Sequence, residues 1–260
     1  MGDPVSLDLP WHPGTAVSNW TIDSPSLMVK KRAIAHVVAG VALLSVILAG
    51  AGWLTAPSIT RQAVNFEVST RDVPRYVKIL DFLDRHYQYG EIAAGITRGL
   101  TSDRERVLAV FEWTQRNIRQ TPAGWPIVDD HILHIIIRGH GAGEQPADVF
   151  TTLTTYAGVP AYWRTLPNGW VLSFARIDGK WRVFDLISGT VFRNARGDLE
   201  TREELATNPD IWIGVEPEDR LRLVASSGYL SDASVPTPLR AELQMPWPRL
   251  AFEVRQAIGW

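Results

Sequence analysis

The sequence predicts an α+β domain, with helices packed on a small antiparallel sheet, standing behind one amino-terminal membrane-spanning helix. Three observations predict it. An apolar stretch without acid, lysine or arginine fills residues 33–54. Beyond it, apolar residues recur at helical spacing in successive segments. After Gly158-Val159-Pro160 the period shortens toward two, and the runs become rich in β-branched and aromatic residues.

Composition sets the bounds. The chain has 260 residues, 45% hydrophobic and 21% charged, enough for one sizeable core and an appendage. Its 26 basic against 28 acidic residues give a net charge of −2, which excludes a global electrostatic case for nucleic acid as a partner. Cysteine is absent, so disulfides, thiolate metal sites and cysteine nucleophiles are excluded together. The 11 tryptophans are many, and such rings collect in cores, interfaces and lipid head-group layers.

The first segment, residues 1–32, is rich in proline and turn formers and has no sustained periodicity, so it is expected to be extended. Within it, Trp11 and Trp20 are the candidates for holding it against a partner. Residues 33–54 make a helix of roughly 33 Å at about 1.5 Å per residue, enough to cross the hydrocarbon core. Lys30, Lys31 and Arg32 precede it, and the next basic residue is Arg61. The positive-inside rule leaves the segment before it in the cytoplasm and exports residues 55–260, which in a Gram-negative cell means the periplasm. Ala49 and Ala51 form a signal-cleavage-like pair, but the preceding leader is long, so a retained single-pass anchor is expected. Ala35, Ala39, Ala42, Ser45, Ala49 and Gly52 fall three or four apart, a small-residue face on which another membrane helix could pack closely. His36 is read as hydrogen-bonding at head-group depth rather than as a pigment or haem ligand.

In the exported domain, residues 72–89 carry an apolar helical face of Val77, Ile79, Leu80, Phe82 and Leu83. The next helix opens at Ser102 with Glu105 in capping-box spacing and faces the core with Val107, Leu108, Phe111 and Ile118. A third is expected over residues 144–157, stopped by Gly158 and Pro160. Three β-rich runs follow, AYWRTL, WVLSFARI and KWRVFDL, the last two joined by the turn pair Asp178-Gly179. The stretch from Leu239 onward finishes as a helix.

The run GHGAGEQPADVFTTLTTYAGVPA, followed by GWVLSFARIDGKWRVFDL, resembles the transglutaminase-like family, whose fold is papain-like. Ala147, Gly158-Val159-Pro160-Ala161, Gly179, Trp181 and Asp185 occupy positions of the family pattern. The resemblance implies a nucleophilic cysteine four residues before Ala147, a histidine on the strand ahead of Gly179, and a triad acid at Asp185. In such a site the helix dipole favours the thiolate, and the acid orients the imidazole. Here the first position is Gly143 and the second falls near Trp170, so Asp185 alone survives. No histidine follows His140. The chain is therefore expected to be a degenerate, non-catalytic member with no cofactor.

Other candidates are weaker. Asp129, Asp130, His131, His134 and His140 cluster, with His131 and His134 at a metal-ligand spacing, but a partly exposed helix entering a glycine-rich turn explains them and no metal is expected. Trp247, Arg249 and Trp260 could touch lipid head groups, a partner or the domain's own core. The expected function is an accessory subunit of the inner membrane that braces or caps an integral membrane complex, photosynthetic or respiratory. The alternative is a glycan- or peptide-binding protein of cell-surface polysaccharide machinery, with Trp163, Trp170 and Trp181 lining a sugar-stacking groove.

Overall fold

With no charged side chain between Ala33 and Leu54, and alanine, leucine and valine dominating, nothing interrupts helical hydrogen bonding near the amino terminus. The computed structural model, which describes residues 25–64, 67–127, 131–207, 228–230 and 234–259, has one helix there, α1 (Pro25–Thr55). It starts ahead of residue 33, so the last part of the segment expected to be extended is helical. Trp11, Trp20, Asp129, Asp130 and Trp260 lie outside the described residues. Within α1 the stretch Arg32–Thr55 is long and apolar enough to cross a membrane, a property that retained spans and signal sequences share. Ser45 donates its hydroxyl to the Val41 carbonyl (2.9 Å), so this polar group is satisfied within its own helix.

The chain divides into two units, Met1–Leu54 and Thr55–Trp260. The second unit opens with a hairpin of β1 (Pro57–Val64) and β2 (Glu67–Pro74), in register from Pro57 opposite Pro74 to Val64 opposite Glu67. Helix α2 (Arg75–Ile96) follows directly, so the helix expected from residue 72 starts later and runs further. The cause is local. The alternating, β-branched run before Pro74 suits a strand, and proline, lacking an N–H, sits well at a helix entrance. Beyond Gly90 the helix continues because Tyr89 and Ala93 bury against the core.

Helix α3 (Asp103–Asn117) begins with the expected capping box, Ser102 accepting from the Glu105 amide and Glu105 from the Ser102 amide. Two short strands, β3 (Arg119–Gln120) and β4 (His140–Gly141), pair in parallel around helix α4 (Ile132–Arg138). Helix α5 (Gln145–Tyr156) is buried from Gln145 to Thr155. Then comes an antiparallel sheet ordered β5 (Ala161–Thr165), β6 (Val171–Ile177), β7 (Lys180–Asp185) and β8 (Thr190–Val191). Asp178 and Gly179 both take positive φ, 50° and 75°, the tight hairpin geometry anticipated from their identity. The described remainder includes helix α6 (Arg202–Thr207), a 3-10 turn (Glu242–Gln244) and helix α7 (Pro246–Ala257).

Both faces of the sheet are covered. On one, Ala161, Ala175, Ile177 and Phe184 join Phe111, Phe150 and Leu153 from α3 and α5. On the other, Tyr162, Leu172, Phe174 and Val183 join Trp170, Phe192, Leu205, Leu230 and Leu239. This explains why β6 reads as a nearly continuous apolar run rather than alternating. The architecture is α+β, helices with small sheets.

Glu200 is 5% exposed, and its Oε2 has no hydrogen-bond partner. Burial first, and the neighbouring Glu204 carboxyl second, push its pKa up from 4.5 to about 7. The folded state therefore binds this proton more tightly than the unfolded chain. The protonated carboxyl is tolerated below about 4.5, and stability falls as pH rises from there through about 7. Glu200→Gln is expected to flatten that decline and raise the denaturant midpoint at pH 8, read by tryptophan fluorescence. An unchanged pH slope would show that Glu200 binds its proton no more tightly in the fold than in the unfolded chain.

Candidate functional site

The last residue of β7 carries a carboxylate into the interior. Asp185 is 1% exposed, and a buried charge must recover from protein donors what it loses in water. Its Oδ1 accepts from the backbone amides of Ile187 (2.8 Å) and Ser188 (3.2 Å), which folds the chain tightly after the strand. Its Oδ2 accepts from the Ser188 hydroxyl (2.8 Å) and from the indole N–H of Trp170 (2.7 Å). Ser188 Oγ also lies 2.8 Å from Thr190 Oγ1 on β8. From the helical layer, the Gln115 side-chain amide donates to the Leu186 carbonyl at 2.7 Å.

Trp170 sits one residue before β6, where a turn closed by the Leu166–Trp170 backbone hydrogen bond feeds it into the sheet. Its ring is 6% exposed and meets Phe192 edge-on at 6.4 Å. An indole nitrogen only donates and carries no basic lone pair. The Trp170–Asp185 pair thus has the geometry of a donor held on a buried acid, without a group able to accept a proton from a nucleophile.

Gly143 lies two residues ahead of α5, exposed, with φ 56° and nothing within 4 Å of where a Cβ would stand. A side chain there would be strained by that backbone and would face open space. The helix entrance is closed by its own residue instead: Gln145 Oε1 accepts from the Ala142 amide at 3.0 Å. A Cβ on Gly141 would come within 2.9 Å of the Gln145 Cβ, so this close approach requires glycine. Glu144 is the cap residue, exposed and making no side-chain cap hydrogen bond.

A second buried carboxylate escaped notice in the sequence. Asp148, in the first turn of α5, is 6% exposed. Its Oδ1 accepts from the Trp163 indole at 2.5 Å and its Oδ2 pairs with Arg240 at 3.0 Å, while the Arg240 guanidinium stands 5.4 Å from the Trp163 ring centre. An aspartate in the first turn of a helix flanked on its own face by Gln145, Thr151 and Thr152 was the available signal. Arg240, far along the chain, could not be paired with it from spacing.

The expected sugar-stacking groove is not assembled. Trp170 is buried, Trp163 lies beneath Arg240, and Trp181 is half-buried with its ring edge-to-face on Tyr162 at 4.9 Å. The covering segments fill the sheet face that a groove would need. His131 and His134 are neighbours, their ring centres 6.0 Å apart, whereas His140 lies beside Thr121 and Trp125. Among the described residues no group of three or more histidines and acids could hold a metal ion. The small residues Ala35, Ala39, Ala42, Ser45, Ala49 and Gly52 all lie exposed on α1.

Fold and geometry define an α+β domain built around a buried acid–indole pair. No family model matches the chain, and no curated protein matches it in sequence. Among solved structures it is similar to a "putative protease" from Parabacteroides distasonis, at 12% identity and TM-score 0.33, covering 51% of this chain and 36% of that one. It is also similar to a "putative cysteine protease" from Cytophaga hutchinsonii, at 16% identity and TM-score 0.34, covering 56% of this chain and 65% of that one. The chain thus spans less than two thirds of either protein.

Replacing Trp170 by phenylalanine keeps an aromatic ring but removes the donor to Asp185. The expected loss is about 1–3 kcal/mol of unfolding free energy, the usual cost of depriving a buried polar group of its partner. Denaturant titration of the full chain in detergent measures it. A change within error would show that Asp185 does not depend on the indole.

Proposed function

We propose that this protein is a non-catalytic, membrane-anchored accessory subunit, a degenerate transglutaminase-like protein whose exported domain braces an integral membrane complex. The observation that carries the reading is the hydrogen bond from Trp170 Nε1 to Asp185 Oδ2 (2.7 Å) in a chain without cysteine. At the place where the resemblance implies a catalytic imidazole stands an indole, chemically inert as a base. The acid that would orient such an imidazole is spent on a turn and on that indole. With nucleophile and base both replaced, the fold's use is as a surface.

Two features support a partner. The small-residue face of α1, Ala35 to Gly52, offers a close-packing stripe for another membrane helix. On α2, Tyr76, Leu80, Leu83 and Tyr87 recur at helical spacing and are 44%, 60%, 44% and 62% exposed, an apolar ridge left open by the described residues. In this reading α1 is a retained single pass of the inner membrane, its amino-terminal end cytoplasmic and residues 55–260 periplasmic. Lys30, Lys31 and Arg32 support that orientation. The complex is of photosynthetic or respiratory kind, and Trp11 and Trp20 belong to the same contact.

Purification from source membranes in a mild detergent, followed by mass spectrometry, tests the proposal. The expected outcome is a stoichiometric set of integral membrane proteins co-eluting with the chain. Ala42→Leu with Ala49→Leu, which fills the close-packing stripe, is expected to reduce that set severalfold while leaving the chain in the membrane. Elution of the wild-type chain alone would overturn the reading.

A further inference from the structure

Helix α7 (Pro246–Ala257) puts its apolar residues on the wrong side for a domain in water. Trp247, Leu250 and Val254, with Ile258 just past the helix end, are spaced three or four apart and so share one face. They are 79%, 52%, 50% and 63% exposed. The opposite side is the one turned to the domain: Phe252 is half-buried, and Arg249 lines a recess of about 400 Å³ shared with Lys78, Ile79 and Phe82 of α2. Arg255 flanks the ridge, and Arg249 is paired with Glu253 at 2.7 Å. This is the pattern of a helix that lies in a membrane interface, with tryptophan and aliphatics on one face and an arginine beside them.

Chain connectivity says which surface is near. The Arg75 amide, at the start of α2, donates to the Ala56 carbonyl at 3.2 Å, and Ala56 directly follows Thr55, the last residue of α1. The first turns of α2 therefore stand about one residue from the point where a spanning α1 leaves the bilayer. The recess joins those turns to the start of α7. The 3-10 turn ahead of α7 is fastened to the same helix: Tyr156 donates to the Gln244 carbonyl at 2.8 Å, and its hydroxyl lies 2.7 Å from His86 Nδ1 of α2.

We propose that α7 is a second, interfacial anchor: its Trp247–Leu250–Val254–Ile258 ridge lies in the head-group and upper acyl region of the bilayer, with Arg255 beside it toward the lipid phosphates. Such helices sit about 5–10 Å into that boundary. The inference rests on the retained-span reading of α1. Its consequence is a domain held by two points, and so with a fixed face toward the membrane.

Because the chain has no cysteine, single-cysteine variants can be spin-labelled without background. Val41→Cys in α1, Leu250→Cys on the ridge and Arg196→Cys on an exposed loop are made in the full chain. Each is reconstituted in vesicles of phosphatidylethanolamine and phosphatidylglycerol. Collision with oxygen, which prefers lipid, is then compared with collision with a water-soluble nickel chelate. The expected oxygen-to-nickel ratio at residues 41 and 250 is severalfold that at residue 196. A lipid-like reading at 41 with a water-like one at 250 overturns the interfacial anchor and leaves the span intact. Low collision with both probes at 250 means that protein, a partner or a second copy, covers the ridge, and overturns it too. A water-like reading at 41 overturns the span itself, and the anchor with it.

Discussion

A carboxylate taken out of water costs several kcal/mol unless donors replace the solvent it gave up. Asp185 meets that requirement by recruiting donors from two parts of the chain: the turn that follows it and the indole that precedes β6. Its position is therefore one on which several others depend. The turn between β7 and β8 is wrapped around its Oδ1, and α3 is tied to the same turn through Gln115. On the other side Trp170, fixed by its N–H, carries its ring into the core that Phe192, Leu205 and Leu239 build under the sheet. One buried acid thus registers the helical layer, the sheet and the covering segments against one another.

The same geometry would serve a very different purpose with another donor. An imidazole on that acid could be poised to exchange protons, and its orientation would be the reason for keeping the acid. An indole cannot exchange, so the bond is static. What it contributes is order, and order at the end of a sheet stiffens the loops around it. A domain ordered in this way is suited to bearing contacts on its surface, the use proposed here.

Much of the fold was legible because local chemistry and global structure agree. Ser102 with Glu105, the Gly158-Val159-Pro160 stop and the Asp178-Gly179 turn each enforce a backbone geometry by themselves, and α3, α5 and the β6–β7 hairpin stand where these residues require. The β1–β2 hairpin was not legible, since the helical spacing that begins at Val77 hides the boundary at Pro74. Asp185 and Trp170 were legible as positions, but the bond between them was not, because it is made across a turn and a strand pair. That Trp163, Trp170 and Trp181 do not line one groove was hidden for a related reason. The residues that cover that face, Leu205, Leu230 and Leu239, arrive late in the chain, and no periodicity in the strands announces them. Nor could spacing bring Arg240 onto Asp148 and Trp163.

Exposure is unevenly distributed, and the unevenness carries meaning. Single exposed apolar residues are ordinary, but ridges are not. Large exposed hydrophobics gather in α1, where all of the described residues are bare, and in the two helices α2 and α7. In contrast, α3 and α5 turn their apolar side chains inward, and every residue of α5 from Gln145 to Thr155 is buried. A domain evolved for water on all sides would have no reason to treat these helices differently. α2 starts one hydrogen bond from the end of α1, and α7 starts beside α2. The apolar faces left open thus belong to two neighbouring helices of one unit. In the reading proposed here, what covers those faces is lipid and the proteins embedded in it.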